Sequence, residues 1–109
     1  MTKITIYQDK NDKITGFKIK GHAGYAESGS DVVCAAISVL VINAMNSIET
    51  FTNARFLYDE NEKKGYMKYI VQNSEADGCQ LLLNSLVLGL SELEKECDKK
   101  YVRLKFKEV

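Results

Sequence analysis

A cysteine and the chain's one histidine are the residues whose types and spacing could break a bond. His22 lies upstream of Cys34 across a stretch holding Gly24 and Gly29. An imidazole folded back onto a thiol can take its proton and later protonate a leaving amine, which is the chemistry of a cysteine hydrolase. Ser30 or Asp31 can accept hydrogen bonds from the unpaired amides that open a helix, and Cys34 then falls in the first turn. There the helix dipole and the open amides favour a thiolate, and the same amides are candidate oxyanion donors. Asp31 reads either as a helix cap or as a carboxylate that orients the imidazole. A negative charge so close in sequence opposes thiolate formation, so it is not the group that activates the thiol. Ser38, one turn beyond Cys34, shares a helix face with both and either lines a site or bonds back to a helix carbonyl. A plainer reading stands beside this one: a capped helix whose cysteine faces the core, near an ordinary surface histidine. Residue types alone do not choose between them.

The elements that must position these groups are legible from periodicity. Lys3 to Asp9 alternates with Ile4 and Ile6 on one face, and Ile14 to Lys20 alternates with Phe17 and Ile19; Lys10 to Lys13 supply the turn of a hairpin. His22 sits just past the second strand. Val33, Ile37, Leu40, Val41, Ala44, Ile48 and Phe51 then recur at helical spacing, while Ala36, Val39 and Met45 make the opposite side apolar too. Such a helix calls for cover on two sides, a sheet on one and a second helix or a partner subunit on the other, so a homodimer is expected. Ile37 to Ile42 is also rich in β-prone residues, and a strand there is the competing assignment. Ala54 to Asp59 and Lys64 to Gln72 read as a second hairpin around Glu60 to Lys63. Ser74 and Asp77 resemble a capping box for a second helix with Cys79, Leu82, Leu83, Leu86, Leu90, Leu93 and Cys97 on its apolar stripe, and Tyr101 to Lys107 reads as a last strand. The order ββαββαβ gives an α+β domain in which a mixed or antiparallel sheet packs with two helices. Cys79 and Cys97 fall on that stripe and read as core thiols.

The 109 residues suit a single domain, residues 1–109, with no proline, linker or repeat to divide it. Fifteen basic residues balance fifteen acidic ones, so no global attraction to nucleic acid or anionic membrane is implied, and nucleic acid is not expected as a direct ligand. The three cysteines form neither a C-x-x-C pair nor an even disulfide framework, which fits a reducing compartment. The chain opens on polar, alternating residues instead of a secretory signal, and the uncharged run Val32 to Ile48 falls short of a bilayer span; the expected place is the cytoplasm, with no membrane partner. One histidine and scattered cysteines lack metal-ligand spacing, and no phosphate-cradling glycine motif follows a strand, so neither metal nor cofactor is expected.

Gly21-His22-Ala23, then Gly29, then Asp31-x-Val33-Cys34-Ala35-Ala36-x-Ser38 resembles the signature of the Prp ribosomal-processing cysteine proteases. Chain length and element order fit the same family. The resemblance implies a cytoplasmic, homodimeric endopeptidase that removes the N-terminal extension of a large-subunit ribosomal protein, the twenty-seventh, and so supports ribosome assembly. It makes Cys34 the nucleophile and His22 the general base and acid, with Asp31 and Ser38 at motif positions of supporting role. It also implies an apolar groove for an extension cut after an aromatic residue. Gly21, Gly24 and Gly29 would then let the loop open for an extended peptide and close over it. The alternative from another class is a ribosome- or RNA-associated binding module without catalysis, motivated by Lys18, Lys20, Arg103, Lys105 and Lys107 on strand faces; such lysines are commonly a solvated face.

Overall fold

The computed structural model describes residues 1–21, 28–61, 63–98 and 100–109, with backbone alone for 28–31. Strands β1 (Thr2–Gln8) and β2 (Ile14–Lys20) form the first hairpin. Its turn is held by Asp9, whose carboxylate accepts from the amides of Asn11 at 2.8 Å and Lys13 at 3.1 Å, while Asp12 takes the left-handed φ of 63°. Helix α1 (Ser28–Phe51) follows, then β3 (Phe56–Asn61), β4 (Tyr66–Val71), α2 (Cys79–Glu96) and β5 (Val102–Glu108). The order is the expected ββαββαβ. Residues 37–42 are helical, which removes the competing strand assignment.

The five strands make one mixed sheet in the order β3-β4-β2-β1-β5, with β1 and β5 parallel and the other pairs antiparallel. One face is apolar because its strands share a phase: Ile4 and Ile6 pair with Ile19 and Phe17, Phe17 pairs with Tyr69, and Tyr69's neighbour two along, Val71, pairs with Phe56. Both helices cover this face. Val33, Ile37, Val41, Ala44 and Ile48 from α1 meet Cys79, Leu83, Leu86 and Leu90 from α2 in one core, where each buried leucine or isoleucine contributes about 1.5–3 kcal/mol.

Two helix starts and one residue of the α1 stripe depart from expectation. Helix α1 starts at Ser28, so Ser30, Asp31 and Gly29 lie inside it, and Cys34 falls in its second turn instead of its first. Helix α2 starts at Cys79 behind Gly78, whose φ of 83° makes the entry, and Ser74 does not cap it. The start of α2 is instead tied to the sheet by Gln80, whose amide donates to the Ile14 carbonyl at 2.7 Å and accepts from the Ile14 amide at 3.0 Å. At the other end Phe51 is 77% exposed and leaves the core stripe. The apolar stretch of α1 runs Val32–Phe51, past the single charge of Glu49, with mean hydropathy 1.8; by length and composition it could cross a membrane, but in this fold it supplies the core face just described.

Tyr69 sits stacked between Phe17 and Phe56, with ring centroids 5.3 and 4.9 Å away. Its hydroxyl is buried and finds no hydrogen-bond partner among the described residues. Burial, with the nearby Cys79 and Glu49, pushes its pKa up to about 12. A Tyr69→Phe variant should therefore be more stable by about 1 kcal/mol at neutral pH, since the unpaired hydroxyl is removed and the stacked ring kept. The pH dependence has a defined sign. Below pH 10 the phenol is neutral folded and unfolded; between about 10 and 12 the unfolded chain ionises while the folded chain does not, so stability falls as pH rises. Thermal denaturation at pH 7 and pH 11 checks both, and the advantage of Tyr69→Phe should widen at the higher pH.

Candidate active site

Cys34 is half-buried on the face of α1 that looks toward the start of β1. Thr2, the first residue of β1, continues the inward phase of Ile4 and Ile6 and is itself buried, and its hydroxyl lies 3.9 Å from the Cys34 sulfur, where either atom can donate. The neighbouring residue brings in the end of β2. Gly21 has a φ of 79°, its amide donates to the Gly65 carbonyl at 2.8 Å, and a Cβ placed on it would stand 2.8 Å from the Met1 carbonyl oxygen. The chain thus leaves β2 pressed between the N-terminal residue and the β3–β4 turn, beside the residues that surround Cys34. His22 is the next residue, and it lies outside the described residues with Ala23 and Gly24.

From Cys34 a groove of about 390 Å³ runs between α1 and the sheet face of β2, β4 and β3. One wall is α1, with Ile37, Ser38, Val41, Ile42 and Met45. The other is the sheet, with Ile19, Met67, Tyr58 and Glu60, and Tyr58 donates its hydroxyl to Glu60 at 2.7 Å. Ser38 therefore shares the groove with Cys34, as its helix spacing implies. Asp31 occupies the α1 position one turn before Cys34, and its side chain lies outside what is described. Gly29 belongs to the helix and not to a loop.

Placing Cys34 in the second turn also changes the electrostatic argument. The four open amides of a helix belong to its first residues, and those further in are engaged in the i→i−4 ladder. The amide of Cys34 is not a helix-terminal donor, which removes the reason for expecting it as an oxyanion donor. The other two cysteines are differently placed. Cys79 is fully buried, with its pKa raised by burial and by the Glu75 charge, and Cys97 closes α2 by donating its amide to the Leu93 carbonyl at 3.0 Å. Among the described residues only Cys34 opens on a groove able to take a peptide side chain.

The family model described as cysteine protease Prp matches residues 1–103. This chain belongs to the Prp cysteine protease family. The ribosomal processing cysteine protease Prp of Bacillus subtilis strain 168 is 31% identical over 100 residues, covering 88% of this chain and 89% of the relative. The protein of the same name from Staphylococcus aureus strain Mu50 is 29% identical over 109 residues, covering 98% and 100%. Among solved structures, the S. aureus essential ribosomal processing protease Prp in complex with a substrate peptide superposes with a TM-score of 0.90 at 26% identity, over 98% of this chain and 100% of that one. SMU.848 from Streptococcus mutans gives 0.83 at 29% identity, over 100% and 99%. The chain is a cysteine protease with the Prp fold.

Thr2, Tyr58, Glu60 and Met67 were not expected at the site. Thr2 had a signal, because the alternation of Ile4 and Ile6 extends back to it and puts a hydroxyl among apolar inward positions. The β3 and β4 residues had none, because β4 pairs with β2 across the whole of α1 and β3.

Proposed function

We propose that this Prp-family protease removes the N-terminal extension of a large-subunit ribosomal protein, the twenty-seventh, through a dyad of Cys34 and His22. The observation that carries the reading is the junction at Gly21: the backbone just before His22 abuts Met1, and Thr2 touches the Cys34 sulfur. His22 takes the thiol proton, the sulfur attacks the scissile carbonyl, and His22 passes the proton to the amine as the peptide bond breaks. Water, deprotonated by the same imidazole, then releases the acyl group and restores the thiol. Asp31 is the candidate to orient the imidazole, and Ser38 to line the acyl position.

The groove fits an apolar segment ending in an aromatic residue. Ile42, Met45 and Met67 offer side chains that a ring can pack against, and the Tyr58–Glu60 pair forms a polar boundary on the β3 side. A peptide spanning the extension and the first mature residues, incubated with the reduced protein, should be cut at one bond after the aromatic residue, as read by mass spectrometry. An intact peptide with a folded, reduced protein overturns the reading.

The unbridged cysteines suit a reducing cytoplasm, which is the proposed location. A homodimer is proposed on the outer side of α1, where Val32 and Val39 are 70% and 68% exposed two helical turns apart, with Leu81 and Leu88 exposed at the same spacing on α2. Sedimentation at micromolar concentration should show a dimer for the wild type and a dissociation constant at least about tenfold higher for Val39→Lys, because a lysine there buries an unpaired charge.

A further inference from the structure

The face of the sheet away from the helices collects charge that the balanced composition hides. Strand register sets it in rows. Arg103, Lys3 and Lys20 stand side by side on β5, β1 and β2, with Tyr66 next on β4. Two residues along, Lys105, Thr5, Lys18 and Lys68 make a second row, ended by Asp59 on β3. Lys107 and Tyr7 begin a third. Seven of the fifteen basic residues thus share one face with a single carboxylate in these rows. Two of the lysine ammonium groups sit over tyrosine rings: Lys18 Nζ lies 5.3 Å from the Tyr66 ring centre and Lys68 Nζ 5.4 Å from that of Tyr7. At the β5 edge a second cavity, about 370 Å³, is lined by Met1, Lys3, Ile4, Arg103, Leu104 and Lys105. One backbone group of this strand, the Leu104 amide, is taken by the Glu94 carboxylate at 2.6 Å.

We propose that this face binds single-stranded RNA through its phosphates. Arg103, Lys105 and Lys107 form a line with about 6.6 Å between successive side chains, and the first two rows widen it across the sheet. A repeating anion fits such an array, because each phosphate added along the strand meets a further cation. An open sheet face lined with cations is also a shape that single strands occupy and duplex grooves do not. The choice of a nucleic acid rests on this charge pattern alone. The choice of RNA over DNA rests on the reading that the substrate is a ribosomal protein, and cleavage of the extension peptide, measured on the same samples, separates a failure of that reading from a failure of this one.

The test is fluorescence anisotropy of a labelled uridylate strand of about 20 nucleotides against the full chain, from low to physiological salt. With three to five phosphates engaged, log Kd should rise with log salt with a slope of about 2 to 3.5. Neutralising the edge line by Arg103→Gln, Lys105→Gln and Lys107→Gln should weaken binding at least about tenfold and flatten the slope by about 2, with peptide cleavage unchanged. The pair Lys18→Glu and Lys20→Glu should also weaken binding, which guards against a local fault in β5. No binding at low salt, a slope near zero, wild-type affinity in both variants, tighter binding to a thymidine strand of equal length, or equal displacement by polyglutamate at matched charge each overturns the proposal.

Discussion

Cys34→Ala should abolish cleavage of the extension peptide, by roughly 10⁴-fold or more, while the protein stays folded. The size follows from the role: without the sulfur no acyl group can form, and what remains is whatever the groove does by holding the peptide. The fold should survive because the thiol is only half-buried and its hydroxyl neighbour, Thr2 at 3.9 Å, is a weak sulfur contact, so a loss within about 1 kcal/mol is expected. His22→Ala should cost nearly as much, and the double variant should be no slower than Cys34→Ala alone, since residues acting as one unit are not additive. Neither remaining cysteine can substitute: Cys79 is fully buried with its pKa pushed up, and Cys97 closes α2. Single-turnover assays with each variant, alongside thermal melts, read both quantities. Residual cleavage within about tenfold of wild type in Cys34→Ala would remove the dyad, whatever the fold does.

How much of this could be read from the residues differs by element. Alternation at Ile4 and Ile6 and at Phe17 and Ile19 gave the first hairpin, because a sheet with one buried face leaves a period of two in any strand. The apolar spacing of α1 gave the helix but not its start. Ser28, Gly29, Ser30 and Asp31 offer several residues able to begin a helix, and local hydrogen-bonding capacity does not rank them. At α2 the pattern of Ser74 and Asp77 matched a capping box, yet the entry is made by Gly78 with its left-handed φ and by Gln80 binding the Ile14 backbone. That second partner is distant in sequence and leaves no local mark. Of the site, residue types and motif raise His22 and Cys34 as an expected pair, with His22 outside the described residues, whereas the groove needed the pairing of β2 with β4, which brings Ile19 opposite Met67. The basic face is similar. The alternating lysines of β2 and β5 are visible in the chain, but only the antiparallel β1–β2 and parallel β1–β5 registers put them on one surface.

Gly21→Ala should cut activity by roughly 100-fold at a stability cost of about 1–3 kcal/mol, and the two losses have separate causes. The stability term is local. Alanine at a φ of 79° is strained, and its Cβ would stand 2.8 Å from the Met1 carbonyl oxygen, which is backbone and cannot rotate away as a side-chain tip could. Relief requires either the N-terminal residue to lift or Gly21 to change its dihedral and loosen the 2.8 Å bond from its amide to Gly65. Both routes disturb the site. Lifting Met1 shifts Thr2 from the Cys34 sulfur, and a new dihedral at position 21 redirects the chain that carries His22. A displacement on the order of 1 Å between base and nucleophile is enough for a 100-fold loss. The split between kcat and KM distinguishes this from simple unfolding: Gly21 bears on Met1 and Gly65, whereas the groove residues Ile42 and Met45 belong to α1, so kcat should fall much more than KM rises. Raising the temperature of the assay should not widen the gap until the lowered melting point is reached. If kcat is kept and only the melting temperature drops, Gly21 is a packing residue, and the geometric link from β2 to the dyad is lost with it.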